Sequence, residues 1–361
     1  MQIAACYIVK NESGDLDKSI HSLRNAVDEL VVVDTGSEDD TVEIASSYNA
    51  RVLFFPWQDH FAKARNFALE HVKSPWIIFL DADESFRHPK EVRPVIREEM
   101  EKNAALDAIM LTRYHTDPEF PKAEISYDVS LRILRNDAKL RYCGRIHELL
   151  KHADRALNLA YADERLSLDH TGYSSARSAA KTRRNLDLLR KDIAENGRSP
   201  AHDHYLSECY FSLHDYQKAL FHAMRALDEG LLLVGMQGSQ YHIVIESMRQ
   251  LNAPLEDMLA MTQTAIRELP SLPEFYGEQG MVLCAMGRLD DAEKMLKKAM
   301  DIYDHTKINH QQGSYFTSAA AAVVCHRLGE IAQLRHDSDG AAHWQKRAAS
   351  LGTTDEAPHH P

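Results

Sequence analysis

Three acidic residues, Asp81, Asp83 and Glu84, follow directly after the apolar run Trp76–Leu80. That run has the length and composition of a buried β-strand. Carboxylates clustered at a strand end repel one another unless a cation neutralises them, and hard oxygen ligands favour Mg²⁺ or Mn²⁺. The segment therefore predicts a metal site that would bind a diphosphate. The alternative is that Asp81 and Glu84 only stabilise a turn after the strand.

A second acid stands at the end of a second apolar run, Leu30–Val33, where Asp34 precedes Gly36 and the start of a helical pattern. A carboxylate in this position could accept hydrogen bonds from a nucleotide base or ribose. The alternative is a turn stabilised by Asp34, with Asp39 or Asp40 capping the helix. Both interpretations can hold together.

Basic residues accompany these acids. Arg65 falls on the helical segment that begins at Phe61, from which its guanidinium could reach a phosphate, unless it lies on a solvated helix face. Between positions 132 and 145, Asp137 is the single acid among five basic residues, which are Arg132, Arg135, Lys139, Arg141 and Arg145. Such a stretch suits a diphosphate, although the outer face of an edge strand would carry the same charges.

The elements that must position these side chains alternate along the first half of the chain. Apolar runs of strand length occur at 3–9, 30–33, 52–55 and 76–80, separated by segments whose apolar residues recur every three to four positions. This alternation predicts an α/β domain with a mostly parallel sheet that helices cover on both faces. Such sheets bind ligands at the carboxyl ends of their strands, which here carry Lys10-Asn11-Glu12, Asp34 and Asp81.

Beyond about residue 198, Ala-rich helical pairs replace the strand pattern. Small residues recur at the spacing of the tetratricopeptide repeat, in which they allow two antiparallel helices to pack closely. We expect three to four irregular repeats, one of them ending near Ala265. The predicted organisation is an α/β domain at 1–175, a basic linker helix at 176–198, an all-α tetratricopeptide-like domain at 199–352 and a flexible tail at 353–361.

The overall composition narrows the function classes. The 361 residues include 42 basic and 54 acidic side chains, a formal net charge of −12, so we expect no nucleic-acid partner and no attraction to anionic lipid. No apolar run reaches the ~18 residues of a membrane helix. The first residues lack the basic leader of a secretory signal, which predicts a cytoplasmic protein. Five widely spaced cysteines argue against a disulfide framework or a zinc site.

Five motifs, in this order, resemble glycosyltransferase family 2, whose members have the GT-A fold. They are Ile8-Val9-Lys10-Asn11-Glu12, Val33-Asp34-Thr35-Gly36-Ser37, Phe61-Ala62-Lys63-Ala64-Arg65-Asn66, Leu80-Asp81-Ala82-Asp83-Glu84 and Gly144-Arg145-Ile146-His147-Glu148. A narrower resemblance is to the peptide S-glycosyltransferases typified by the sublancin enzyme, which also join a GT-A domain to tetratricopeptide-like helices. It rests on Tyr142 to Glu148, His170-Thr171-Gly172-Tyr173 and Lys181-Thr182-Arg183-Arg184-Asn185.

The family resemblance implies an inverting, metal-dependent hexosyltransferase that uses a nucleoside-diphosphate sugar, which we expect to be a UDP-sugar. The cofactor would be Mn²⁺ or Mg²⁺, with Asp83 as the main ligand and Asp81 contacting the ribose or the metal. His147 and Glu148 would share the remaining roles: one completes the metal shell or contacts the sugar, and the other is the base that deprotonates the acceptor. The nucleotide-binding candidates are Ile8, Asn11, Glu12, Asp34, Arg65 and Asp81, and the diphosphate-binding candidates are Arg132, Arg135 and Arg145.

The sequence leaves two classes of acceptor open. Stacked repeats form concave grooves that suit peptides, so a peptide or protein side chain is the first choice, and a bacterial surface glycan such as lipopolysaccharide core is the alternative. The repeats could instead build a homodimer. A non-catalytic scaffold is a further class, but intact carboxylates at the strand ends count against it. A nicotinamide enzyme would need Gly-x-Gly-x-x-Gly after the first strand, and that motif is absent.

Overall fold

The computed structural model describes residues 1–23, 25–117, 120–171, 175–230, 236–305, 314 and 316–352. The predicted tail at 353–361 lies outside these residues, as do Gly172 and Tyr173. The chain forms two compact units. The α/β unit comprises Met1–Tyr114, Val129–Tyr173 and Arg184–Gly197, and the helical unit comprises His115–Asp128, Ser174–Arg183 and Arg198–Pro361.

The α/β unit is built on one mixed sheet. Its described strands follow the order β3-β2-β1-β4-β7-β6-β11-β5, with β10 paired to β6. The first four strands of this order run parallel, whereas β7 runs antiparallel to β4, and β11 antiparallel to β5. The strands are β1 (Ile3–Val9), β2 (Glu29–Asp34), β3 (Arg51–Phe54), β4 (Trp76–Leu80), β5 (Glu84–Phe86), β6 (Ala108–Asp117), β7 (Phe120–Arg135), β10 (Leu159–Tyr161) and β11 (Ser167–His170), and a separate hairpin pairs β8 (Leu140–Cys143) with β9 (Leu149–His152).

Helices cover both faces of the parallel strands, as the continuous apolar runs predict. Side chains alternate along β1, so Ile3, Ala5 and Tyr7 lie in one buried cluster with α1 and α4, whereas Ala4 and Cys6 lie in another with α3. These helices are α1 (Leu16–Leu23), α2 (Thr41–Ser47), α3 (Phe61–His71) and α4 (Val92–Lys102). A longer helix, α5 (Ser175–Asn196), follows the last strand. The rigid centre of the sheet thus fixes the positions of the loops that follow its strands.

The strand β7 corrects one expectation. The sequence allowed the basic stretch beginning at Arg132 to lie on an edge strand, but β7 lies between β4 and β6, and Ile133 and Leu134 are fully buried. Arg132 is tolerated there because Asp81 and Glu84 neutralise it.

The helical unit contains four antiparallel helix pairs among its described residues. Small side chains lie where the helices meet: Ala219, Ala226, Ala292 and Ala299 are completely buried. Ala265 is buried in the second pair, α8–α9, in agreement with its predicted position. The helices are α6 (Pro200–Ser212), α7 (Tyr216–Asp228), α8 (Ser239–Gln250), α9 (Leu255–Glu268), α10 (Pro273–Ala285), α11 (Leu289–His305), α12 (Ser318–Leu334) and α13 (Ser338–Gly352). In the part of the chain that the structure describes, no helix has the length and apolar character needed to cross a membrane.

Candidate functional site

The acidic segment after β4 forms a tight turn into β5. The backbone N–H of Glu84 donates to the carbonyl of Asp81 at 3.0 Å, and the N–H of Asp81 donates to Glu84 Oε2 at 3.1 Å. The turn expected as the alternative to a binding role is therefore present. It also holds the Asp81 and Glu84 side chains beside the ends of neighbouring strands, where both carboxylates meet arginines.

Two arginines pair with the Asp81 carboxylate. Arg132 lies 2.7 Å from its Oδ2, and Arg65 lies 3.2 Å from its Oδ1. Burial raises the pKa of Asp81, but the attraction of Arg132 and Arg65 outweighs burial and holds the pKa well below its usual range. Glu84 also contacts two arginines, at 2.6 Å from Arg132 and 2.9 Å from Arg113. Asp81 is thus an ionised carboxylate with a fixed orientation.

Arg65 connects Asp81 to Glu148. Its Nε donates to Glu148 Oε1, while one terminal nitrogen reaches Asp81. The guanidinium is buried and lies 5.0 Å from the ring centroid of Phe79 and 5.5 Å from that of Tyr142. Burial alone lowers the pKa of Arg65, but the attraction of Glu148 and Asp81 raises it overall, so the side chain stays charged. Arg65 is therefore not on a solvated helix face.

Asp83 meets a residue to which the sequence motifs assigned no role. His170, at the end of β11, places its Nε2 3.3 Å from Asp83 Oδ2. The pairing of β11 with β5 sets His170 opposite Glu84, and the N–H of Thr171 donates to the Asp83 carbonyl at 3.0 Å. In the sequence, the motif that begins at His170 was the only sign of a role for this residue. His170 is far from Asp83 along the chain, so the contact between them could not be predicted.

The metal ligand set predicted from the sequence is not assembled. Among the described residues, no group of three or more His, Cys, Asp and Glu side chains is arranged to hold a metal ion, so Asp81, Asp83 and His147 do not form one. The Asp81 carboxylate is instead paired with Arg65 and Arg132. The Asp83 carboxylate and the His170 imidazole are both donor groups that a divalent cation accepts.

The loops after β1 and β2 hold each other in place. Asp34 accepts hydrogen bonds from the N–H groups of Gly36 and Ser37, which forms the turn expected from the sequence. Asn11, with a φ of 56°, accepts from the N–H of Glu38 at 2.8 Å. Four of the predicted nucleotide-binding residues lie at the carboxyl ends of β1 and β2 or in the loop that follows β1. They are Ile8, which pairs with Val33 and is half-buried, Asn11, Glu12 and Asp34.

Two of the three predicted diphosphate-binding arginines are engaged elsewhere. Arg135 pairs in register with Trp76, at the opposite end of β4 from Asp81, and donates to the carbonyls of Leu106 and Ala104. The prediction for Arg135 is therefore wrong, because a strand antiparallel to β4 carries its later residues away from the acids. Arg145 forms an ion pair with Glu195 on α5. Arg132 alone of the three contacts Asp81.

The loop that carries His147 and Glu148 has a constrained backbone. Gly144 has a φ of 100° and His147 a φ of 50°, both in the left-handed region that a side chain disfavours. The carbonyl of Arg145 accepts from the N–H of Phe61 at 2.8 Å, and Glu148 pairs with Arg65 on the same helix, α3. Two contacts with α3 thus fix this loop beside the acidic turn.

Residues 5–155 match the model of the family described as Glycosyl transferase family 2. The chain is similar to a TPR repeat-containing protein of Synechococcus elongatus, 29% identical over 74% of this chain and 66% of that protein. It is similar to the SPbeta prophage-derived glycosyltransferase SunS of Bacillus subtilis, 25% identical over 54% of this chain and 45% of that protein. The crystal structure of MamA matches with 14% identity and a TM-score of 0.39 over 49% of this chain and 92% of that one. The chain thus spans about half to two thirds of the length of these curated relatives.

Proposed function

Because residues 5–155 form a glycosyl transferase family 2 domain, we propose that the chain is an inverting glycosyltransferase that moves a sugar from a UDP-sugar to a peptide or protein side chain. The observation that carries the proposal is the Asp83–His170 pair beside the oriented carboxylate of Asp81. These groups lie where an α/β sheet binds ligands, past the carboxyl ends of its parallel strands.

On the donor side, the contacts support the following roles. Asp83 and His170 would hold Mn²⁺ or Mg²⁺, whose positive charge would offset the charge that develops on the leaving diphosphate. Asp81 accepts hydrogen bonds from the ribose, and its ion pairs with Arg65 and Arg132 keep it ionised and oriented for that purpose. The edge formed by Asn11, Glu12 and Asp34 holds the base.

On the acceptor side, we assign the base to Glu148. Its carboxylate accepts from Nε of Arg65, and a terminal nitrogen of the same guanidinium donates to Asp81. The carboxylate takes the proton of the acceptor hydroxyl or thiol, and the acceptor atom bonds to the anomeric carbon. The bond from that carbon to the diphosphate oxygen breaks, so the nucleoside diphosphate leaves with the electron pair. His147, the neighbouring residue, contacts the sugar.

The first test is a thermal-shift screen of nucleotide sugars with and without Mn²⁺. A donor that binds only the folded chain raises the melting temperature. We expect the largest rise with a UDP-sugar and Mn²⁺ together, and its loss with EDTA. Donor hydrolysis and transfer to peptides containing Cys, Ser or Thr then identify the acceptor atom.

Matched variants decide whether Asp83 and His170 hold the metal. Asp83→Asn and His170→Ala are expected to lower the apparent Mn²⁺ affinity in the presence of donor by about tenfold or more. Asp154→Asn and His152→Ala serve as controls. His152 is the last residue of β9, and Asp154, just beyond it, forms an ion pair with the exposed Lys139. Equal metal dependence in all four variants, or no stabilisation by any nucleotide sugar, would contradict the proposal.

A further inference from the structure

We propose that Arg184 on α5, beyond the residues that match the family, binds a phosphate of the nucleotide donor. This inference rests on the proposed function, because it names a further residue of the same donor site. Three observations carry it: the face of α5 that packs on the α/β unit, the surroundings of the Arg184 guanidinium, and the pairing of the other arginines.

One face of α5 is tied to the α/β unit at several points. Arg184, Lys191 and Glu195 are spaced by seven and four residues, which places them on the same side of a helix. Lys191 Nζ lies 2.5 Å from Asp59 Oδ2, and Glu195 Oε2 accepts from Arg145 Nε at 2.9 Å. This face therefore contacts the segment before α3 and the loop that carries Glu148.

Arg184 lies on the same face, beside the start of α3. Its guanidinium lies 5.5 Å from the ring centroid of Phe61, the first residue of α3. Phe61 precedes Arg65 by one helical turn, about 6 Å along the axis. Arg65 is the residue that holds Asp81 and Glu148. Arg184 thus lies beside the helix that carries Arg65.

The guanidinium of Arg184 has no acidic partner. Among the described residues, its one hydrogen bond goes to Oδ1 of the adjacent Asn185, at 3.2 Å, and no carboxylate oxygen lies within ion-pair distance. Burial lowers the pKa of Arg184, and the more distant attraction of Glu12 opposes this effect only in part. Arg184 is exposed, so an incoming anion can reach it. A cation without a counterion gains more from such an anion than one that is already paired.

Three other arginines of this region already have carboxylate partners. Arg65, Arg132 and Arg145 are paired with Glu148, Asp81 and Glu195, respectively. Carboxylates of the protein neutralise the charges of these three arginines, whereas Arg184 has no such counterion among the described residues. A planar guanidinium binds a phosphate through two parallel hydrogen bonds, which makes a nucleotide phosphate the fitting ligand.

Calorimetry with the full chain tests this assignment. UDP and uridine, each with Mn²⁺, are titrated into the wild type, Arg184→Ala and Arg184→Lys, and Arg190→Ala is the control on the same helix, because Arg190 is exposed beside Asp187. We expect Arg184→Ala to weaken UDP binding about tenfold or more, the range for a charge-assisted hydrogen bond. Uridine binding should be unchanged, Arg184→Lys should recover part of the loss, and Arg190→Ala should match the wild type.

The outcomes separate this inference from the proposed function. If the wild type binds UDP and Arg184→Ala binds it equally well, the role of Arg184 is excluded while the glycosyltransferase assignment stands. If Arg184→Ala weakens UDP and uridine to the same extent, Arg184 does not act on the phosphate, and the inference is likewise overturned. A wild type that binds no nucleoside diphosphate overturns both.

Discussion

Arg65 is held from several sides, and it connects two carboxylates next to a buried sheet. Phe79 and Tyr142 enclose its guanidinium, and Asp81 and Glu148 accept from different nitrogens. Removing it would leave both acids without a common counterion. A lysine would restore the charge but not the fork of donors that reaches two acids at once.

We therefore predict that Arg65→Met lowers the free energy of unfolding by about 3 kcal/mol, the cost of removing one partner of a buried ion pair. Arg65→Lys should recover part of this stability but little of the activity. Urea unfolding and donor turnover are the measurements. The control is Arg51→Ala, because its pair with Glu29 is more open to solvent, and we expect it to cost less than about 1 kcal/mol. Similar losses for Arg65→Met and Arg51→Ala would contradict the structural role of Arg65.

The ionisation of Asp81 makes the free energy of unfolding depend on pH. Its folded pKa is lowered, so the unfolded chain binds the proton more readily, and stability falls as pH drops below the ordinary pKa of an aspartate, about 4. Asp81→Asn should therefore flatten the loss of stability between about pH 5 and pH 3. Urea titrations of both proteins at a series of pH values measure this slope. Equal slopes would show that Asp81 does not contribute.

The sequence predicted the acids at the site better than their partners. Asp34, Asp81 and Asp83 could be located because each follows an apolar run that must be a strand. His170 and the arginines depend on which strands pair, and strand order is not readable from apolar periodicity. Arg132 and Arg135 lie three residues apart, yet only Arg132 reaches Asp81, because β7 runs antiparallel to β4.

At the scale of elements, the helix pairs were predictable from small residues, because close packing of two helices requires them. The clearest case is Gly280 in α10. A Cβ atom at that position would lie 2.6 Å from the side chain of Leu296 in α11. Gly329 in α12 looks equivalent in sequence, but its nearest neighbours would be 3.7 Å from a Cβ, an ordinary contact.

These two glycines predict opposite effects of the same substitution. Gly280→Ala should destabilise the chain by about 1–3 kcal/mol, because the added methyl group overpacks the contact with Leu296. Gly329→Ala should leave stability unchanged or raise it by up to about 1 kcal/mol, since alanine is the better helix former. Chemical denaturation of the two variants side by side measures the difference. A stabilising Gly280→Ala would show that the helices can separate at no cost.

As a whole molecule, the chain joins an α/β part, whose residues 5–155 match the model of glycosyl transferase family 2, to a helical part, so the predicted resemblance to that family and the predicted fold class are confirmed. The boundary between the α/β unit and the helical unit does not lie at one residue, although the change in residue pattern along the sequence suggests that it does. The sequence changes character near residue 175, yet the structure groups Arg184–Gly197 with the α/β unit. Long-range ion pairs such as Arg145–Glu195 leave no periodic trace in a sequence. The expected homodimer stays a prediction.

The two candidate boundaries differ in a measurable way. A chain truncated after residue 197 keeps the ion pairs of Lys191 and Glu195, whereas one truncated after residue 175 loses them. We expect the longer chain to melt about 5 °C or more above the shorter one, a shift equivalent to about 1–2 kcal/mol. The longer chain should also bind UDP more tightly. Equal melting temperatures would mean that the second half of α5 does not stabilise the α/β unit.

The backbone passes between the two compact units five times, because each unit is assembled from three separate stretches of the chain. This arrangement limits how such a protein can arise or be exchanged during evolution. A single recombination event near residue 198 would transfer the helix pairs but leave behind His115–Asp128 and Ser174–Arg183, which belong to the same unit. We therefore expect the two units to be inherited together.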